Sequence, residues 1–125
     1  MNFSEGYIGR FRGIAALYGF ESLRRLRDSR VCLVGVGGVG SWAAESLARS
    51  GVGHLTLVDP EAIELGNINR QLHTLTSTVG RGKAGVLGER LMDINPELDL
   101  SVRRELLTKE NVSSIITPET SAVSD

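Results

Sequence analysis

Little in this sequence suits thiol, metal or membrane chemistry. It contains one cysteine, Cys32, which excludes an intramolecular disulfide and a metal–thiolate cluster. Inside the apolar run VCLVG, that thiol reads as a small buried hydrophobe rather than a nucleophile. No apolar run approaches the roughly 20 residues of a membrane-spanning helix. Neither charge is in excess: the formal net charge is −1, so no overall field draws the chain to nucleic acid or a lipid surface. Arg24, Arg25, Arg27 and Arg30 form a local basic cluster that reads as a solvated helix face and helix C-terminus. The opening segment MNFSEGYIGRFRGIAALYGF carries charges too early, and lacks the small-residue cleavage pattern, of a secretory signal. A reducing, cytoplasmic setting is the expectation. Repeats and low-complexity tracts are absent. At 125 residues, with 41% hydrophobic and 23% charged content, the chain suits at most one ordinary globular domain.

What is present alternates between helix and strand. Residues 8–27 carry Ile8, Phe11, Ile14, Ala15, Leu17, Tyr18, Phe20, Leu23 and Leu26 at near-helical spacing. Gly13 and Gly19 are weak points, so the spacing predicts two short helices around a Gly19 turn. Arg30–Val34 is short and continuously apolar, the pattern of a buried parallel strand. Gly38–Arg49 reads as a helix with Trp42, Leu47 and the alanines facing the sheet, ended by Ser50 and Gly51. HLTLVD, His54–Asp59, reads as the second strand. Together these form a βαβ unit with a right-handed crossover. The long polar stretch from Pro60 to Gly85 is expected to be functional, with Ile63, Leu65, Ile68 and Leu72 as apolar anchors against disorder. Lys83–Asn95 is predicted helical, with Val86, Leu87, Arg90, Leu91 and Ile94 periodic and Pro96 blocking continuation. DLSVRREL is a third strand, and TKENVSSII a short helix with Thr108 as N-cap. The polar end, TPETSAVSD, stops where another strand would be expected. Three parallel strands are fewer than a doubly wound sheet normally holds, so the chain is expected to be the first half of a larger fold. The expected division is an N-terminal helical arm over residues 1–29 and a nucleotide-binding α/β unit over 30–125.

GVGGVG satisfies G-x-G-x-x-G through Gly35, Gly37 and Gly40, between a strand and a helix. Gly35 allows a tight turn, Gly37 lets backbone amides approach a phosphate, and Gly40 permits close helix–strand packing. Asp59, ending the second strand, sits where an acidic residue meets ribose hydroxyls. To this point NAD and ATP are level. The sequence then offers NINRQ and Lys83. Arg70 can grip a phosphate through two donors, and Lys83 can act as a point charge on a triphosphate. Such cations stabilise a departing pyrophosphate, and their joint placement favours ATP. His54 and His73 do not separate the options; His73 reads as a packing or capping residue.

RVCLVGVGGVGSWAAESLARSGVGHLTLVD, then NINRQLHTLTSTVGRGKA, then INPE, resembles the ThiF-like adenylating superfamily. That superfamily includes the molybdopterin and thiamine sulfur-carrier activators and the ubiquitin-activating enzymes. RFRGIAALYG, GSWAAESLARSG and NINRQLHTLTSTVG are similar to its tRNA threonylcarbamoyladenosine dehydratase branch. That branch reads RFGG where this chain reads RFRG. The resemblance runs from about Tyr7 to Asn111 and implies a Rossmann-like α/β fold with a mostly parallel sheet, preceded by N-terminal helices and truncated relative to the whole ThiF-like fold.

The resemblance also implies roles. Gly35, Gly37, Gly38 and Gly40 would form the phosphate loop and Asp59 would hold the ribose. Asn67 would lie near the phosphates, Arg70 and Gln71 would match the Arg-Gln pair, and Lys83 would point to the triphosphate. In related homodimers an N-terminal arginine reaches the partner's ATP site; Arg10 is the candidate, and less securely Arg12. The implied reaction joins ATP and a carboxylate into an acyl adenylate, releasing pyrophosphate, with Mg2+ accompanying ATP. Its metal-binding aspartate would follow AVSD, where this chain stops. In the dehydratase branch the carboxylate belongs to the threonyl part of modified adenosine in tRNA, and its own amide system displaces AMP, closing a ring with net loss of water. The alternatives are adenylation of a ubiquitin-like sulfur carrier's C-terminus, with a sulfur-relay protein as partner, and an NAD(P)-dependent oxidoreductase. A non-catalytic binding module is a third possibility for a chain of this length.

Overall fold

The computed structural model describes residues 2–124. Ser4 caps the first helix, α1 (Glu5–Tyr18), its side chain accepting from the Tyr7 amide. Gly19 at φ 89° then separates α1 from α2 (Phe20–Asp28), as the sequence predicts. Gly13 stays helical, and the departure from helical geometry inside α1 falls at Phe11 instead. Tyr7, Phe11, Ala15 and Leu23 form the arm's own apolar cluster, while Leu17, Tyr18 and Phe20 are exposed. The Tyr7 hydroxyl donates to the Gly51 carbonyl, fastening the arm to the rest of the chain. The arginines of α2 are satisfied locally. Arg24 pairs with Glu21 and Asp28 at helical spacing, and Arg27 lies 4.5 Å over the Phe3 ring.

Four parallel strands follow: β1 (Arg30–Val34), β2 (His54–Val58), β3 (Asp99–Arg103) and β4 (Ala122–Ser124), in the order β3-β2-β1-β4. The fourth strand corrects the expectation of three. Ala122–Ser124 pairs in register with Val31–Leu33, and three residues in a polar terminal stretch show strand character only once β1 offers them a ladder. Helices α3 (Gly40–Arg49) and α4 (Lys83–Ile94) pack on one sheet face. Their Ala44, Ala48, Leu87 and Leu91 meet Leu33, Leu55 and Leu57 there, and burying each such leucine contributes about 1.5–3 kcal/mol. On the other face a smaller cluster joins Cys32 and Val58 to Ile115 of α5 (Val112–Ile115). Cys32 is thus structural, and burial pushes its thiol pKa up.

Three local expectations are corrected. Trp42 does not face the sheet: it is 53% exposed, with its indole N–H donating to the Arg70 carbonyl at 2.8 Å. The small residues Gly40, Ser41, Ala44 and Ala48 take the buried side of α3. Arg90 leaves the apolar stripe of α4 and pairs with Glu45 of α3, which holds the Glu45 carboxyl below the usual carboxylate range. The α5 helix begins at Val112 with Asn111 as its N-cap. Thr108 instead exchanges backbone-to-side-chain hydrogen bonds with Asn111 one turn earlier, a competition typical of short polar side chains.

β1 has β2 on one side and β4 on the other: the chain winds outward from β1 through β2 to β3 and then crosses back to place β4 on the far side of β1, so the winding direction reverses at β1. The carboxyl end of β1 at that reversal is the crevice where open α/β sheets bind ligands. α3 approaches β1 there so closely that a Cβ on Gly40 would overlap the Gly35 carbonyl oxygen. Gly40→Ala is therefore expected to lower unfolding free energy by about 2–4 kcal/mol. Gly85→Ala, on a helix surface with nothing within 4 Å of the added carbon, should leave stability unchanged or raise it by about 0.5–1 kcal/mol. Urea denaturation of both variants measures the difference.

Candidate active site

The glycine loop is the turn from β1 into α3. Gly35 takes φ 91°, a left-handed conformation that favours glycine, and its amide donates to the Val58 carbonyl at 2.7 Å. Gly37 and Gly38 present bare backbone: carbons added there would face the Gln71 amide and the Arg70 stem, at 3.5 and 3.6 Å. α3 starts without a side-chain cap; its Ser41 amide already donates to the Gly37 carbonyl at 3.1 Å, so an anion would meet the loop backbone ahead of it, at the positive end of the helix.

Asp59 is buried at the end of β2. One carboxylate oxygen accepts from the Val36 amide at 2.9 Å, the other from Glu61 at 2.8 Å. The predicted ribose-binding residue thus also ties the glycine loop to the segment after β2. Each oxygen keeps acceptor capacity beyond these bonds.

The segment from Pro60 to Gly82 is ordered, though two of its four expected anchors fail. Ile63 is buried and Leu72 packs against the core, but Leu65 and Ile68 are exposed. Polar groups supply the order instead. Asn67 belongs to a capping box on the 3-10 turn Leu65–Asn69, accepting from the Glu64 amide at 2.9 Å. Thr78 donates to the His73 carbonyl at 2.6 Å, and Ala62 bridges Gly82. Arg70 and Gln71 then lie over the glycine loop. The Arg70 guanidinium contacts the Gly66 carbonyl and Asn69 and, among the described residues, has no carboxylate partner. Gln71 Oε1 is buried without a hydrogen-bond partner, an acceptor suited to a ligand N–H or hydroxyl. The loop amides and a guanidinium without a carboxylate partner suit a nucleotide phosphate, and the Gln71 acceptor suits a hydroxyl or N–H elsewhere on the nucleotide.

Lys83, the first residue of α4, is only 6% exposed at its side chain, and its Nζ lies 3.0 Å from Glu61 Oε1. The structure thus groups Gly35, Gly37, Gly38, Gly40, Asp59, Asn67, Arg70, Gln71 and Lys83 around one end of the sheet. Arg10 is not among them. Its Nε donates to the Ile94 carbonyl at the far end of α4, about 17 Å along the helix from Lys83 by the rise per residue. Arg12 is exposed on α1. A cleft of about 330 Å3 bordered by Arg30, His54, Asp99 and Ser101 opens at the amino ends of the strands and includes none of the predicted site residues.

Sequence reasoning missed three supports, Ser41, Trp42 and Glu61, and read the fourth, His73, as the packing or capping residue it is. Ser41 is buried, donates to the Gly37 carbonyl at 2.5 Å and accepts from the Leu72 amide. Trp42 holds the Arg70 carbonyl, Glu61 pairs with Lys83, and His73 secures the loop from beneath. The available signals were a hydroxyl one residue past the last loop glycine and an acidic residue two past Asp59. His73 Nε2 lies 2.6 Å from the Val36 carbonyl, which makes Nε2 the protonated donor. Burial, reinforced by the Lys83 charge, holds the imidazole below its ordinary 6.5, against the opposing effects of that carbonyl and Asp59. Below about 6.5 the unfolded chain therefore binds a proton that the folded chain resists, and stability falls as pH drops through that value. Thermal unfolding from pH 7 to 5.5 should show this loss, at no more than about 1.4 kcal/mol per pH unit. His73→Gln, which keeps a donor and removes the titration, should flatten the slope.

The ThiF family model matches residues 11–125. The Escherichia coli (strain K12) tRNA threonylcarbamoyladenosine dehydratase is 44% identical over 98% of this chain and 46% of its own length. The same organism's sulfur carrier protein ThiS adenylyltransferase is 37% identical over 77% of this chain and 38% of that protein. Among solved structures, the E. coli tRNA N6-threonylcarbamoyladenosine dehydratase in complex with ATP superposes with a TM-score of 0.94 at 43% identity, covering 98% of this chain and 51% of that one. The chain spans about half the length of these relatives. With nearly its whole length matched in sequence and in fold, the chain belongs to the ThiF family.

Proposed function

We propose that this chain forms the nucleotide-binding half of an ATP-dependent tRNA threonylcarbamoyladenosine dehydratase. One observation carries the reading: two cations stand near the carboxyl ends of β1 and β2, Arg70 with its stem across the bare backbone of the glycine loop and Lys83 paired with Glu61, two residues past Asp59. Hydride transfer to a nicotinamide needs no such pair, whereas release of pyrophosphate does.

In this proposal the amides of Gly37 and Gly38 and the start of α3 receive the phosphates, and Asp59 takes the ribose hydroxyls. Asn67 and Gln71 border the same space. A carboxylate oxygen of the threonyl group attacks the α-phosphorus as its bond to the pyrophosphate oxygen breaks. Arg70 and Lys83 stabilise the charge that develops on the leaving group. The amide system of the same nucleoside then displaces AMP and closes the ring, so one water is lost from the nucleoside while ATP becomes AMP and pyrophosphate. That step does not strictly require an enzyme thiol, and Cys32 is buried away from the site. Mg2+ arriving with ATP would neutralise part of the triphosphate charge. Arg10 is too distant to serve its own site, so its role requires a homodimer in which a second copy supplies it. The division into a helical arm, 1–29, and an ATP-binding unit, 30–125, belongs to the same proposal, as does a cytoplasmic setting.

The test is ATP–pyrophosphate exchange with tRNA bearing threonylcarbamoyladenosine, followed by mass analysis of the nucleosides. Exchange should fall at least about a hundredfold in Arg70→Ala and in Lys83→Ala, and the modified nucleoside should lose the mass of one water with the wild-type protein. Full exchange in both variants would sink the adenylation assignment. Exchange driven by a ubiquitin-like carrier protein and not by tRNA would replace the substrate with the sulfur-carrier alternative.

A further inference from the structure

Glu61 has no part in the reaction above, yet it holds the charge on which that reaction depends. Lys83 sits unfavourably for a cation. It begins α4, where the helix dipole is positive, and its side chain is almost entirely buried. A buried cation needs a partner, and Glu61 Oε1 at 3.0 Å is the carboxylate that contacts it. The two residues differ sharply in access: the Lys83 side chain is 6% exposed and the Glu61 side chain 67%. The carboxylate therefore stands on the solvent side of the ammonium. Any anion entering from solvent meets Glu61 before it meets Nζ.

The backbone makes this placement independent of the ion pair. The Glu61 amide donates to Asp59, the Glu61 carbonyl accepts from the Lys83 amide at 3.0 Å, and Ala62 bridges Gly82. The two residues stay adjacent whatever the Glu61 side chain does, and that side chain is free to swing outward.

We infer that Glu61 is a positioning residue that stands in for phosphate: its carboxylate holds Lys83 in the empty site and is displaced when the triphosphate arrives. The inference rests on the adenylation reading for the identity of the ligand. ATP binding then exchanges one anionic partner of Lys83 for another. The pair opposes binding of the triphosphate and has no effect on a nucleotide too short to reach Lys83.

Calorimetric titration of wild type and Glu61→Gln with ATP and magnesium, and separately with AMP, tests it. Removing the competing charge should tighten ATP binding by about threefold to tenfold, the range of a partly exposed ion pair, with AMP affinity unchanged. A purely structural Glu61 predicts the opposite sign, so weaker or unchanged ATP binding in Glu61→Gln overturns the inference. A second measurement needs no nucleotide. In brief acetic anhydride labelling read by peptide mass mapping, Lys83 should modify several-fold faster in Glu61→Gln than in wild type, and equal rates overturn the inference. Glu61→Asp, which keeps the charge on a shorter arm, should fall between the two in both assays. Wild-type protein that binds no ATP overturns the adenylation reading itself, and the phosphate stand-in falls with it.

Discussion

The carboxylate of Asp59 is the interaction on which the site depends. It is buried at the end of β2, and its two oxygens engage the amides of Val36 and Glu61. A hydrogen bond to a charged acceptor contributes about 1.5–3 kcal/mol, and a buried carboxylate without donors would cost more. The glycine loop and the segment after β2 are therefore fastened through one side chain. His73 reinforces this junction through the Val36 carbonyl, and Ser41 through the Gly37 carbonyl. A loop so rich in glycine keeps its shape because its neighbours supply the constraints.

The two cations reach this junction by separate routes. Arg70 follows a 3-10 turn closed by the Glu64–Asn67 capping box, and the exposed indole of Trp42 holds its backbone from the first turn of α3. Lys83 comes from the start of α4 and is delivered by the short bridge between Ala62 and Gly82. One route packs an arginine stem onto bare glycine backbone; the other buries a lysine beside an acidic residue. Both converge where β1 parts from its neighbours, so the sheet order and the charge arrangement mark the same crevice.

Much of this was legible in the chain. β1 matches its predicted span, and β2 and α4 lie within a residue of theirs, because a continuous apolar run and a clear helical period each leave little choice. The glycines were legible because their spacing between a strand and a helix has few other uses. Less legible was the inward side of α3. Tryptophan is large and apolar enough to suggest the core, but close packing against β1 admits only glycine, serine and alanine there. Leu65 and Ile68 misled for the complementary reason: apolar residues in a polar stretch suggest anchors, whereas buried Asn67, His73, Thr74 and Thr78 supply the order.

The sequence by itself determined the helices and the first three strands, the glycine spacing of the loop and the kinds of charge available to it. Those follow from local periodicity, from the conformational freedom of glycine and from side-chain chemistry, none of which requires a distant partner. Only the tertiary structure decided which polar groups meet: Asp59 with Val36, His73 beneath the loop, buried Lys83 with exposed Glu61, and Arg10 far from all of them. Burial strengthens the bonds of Asp59 and His73 and leaves Lys83 in need of a partner, and burial arises only when separate segments close over the same few atoms.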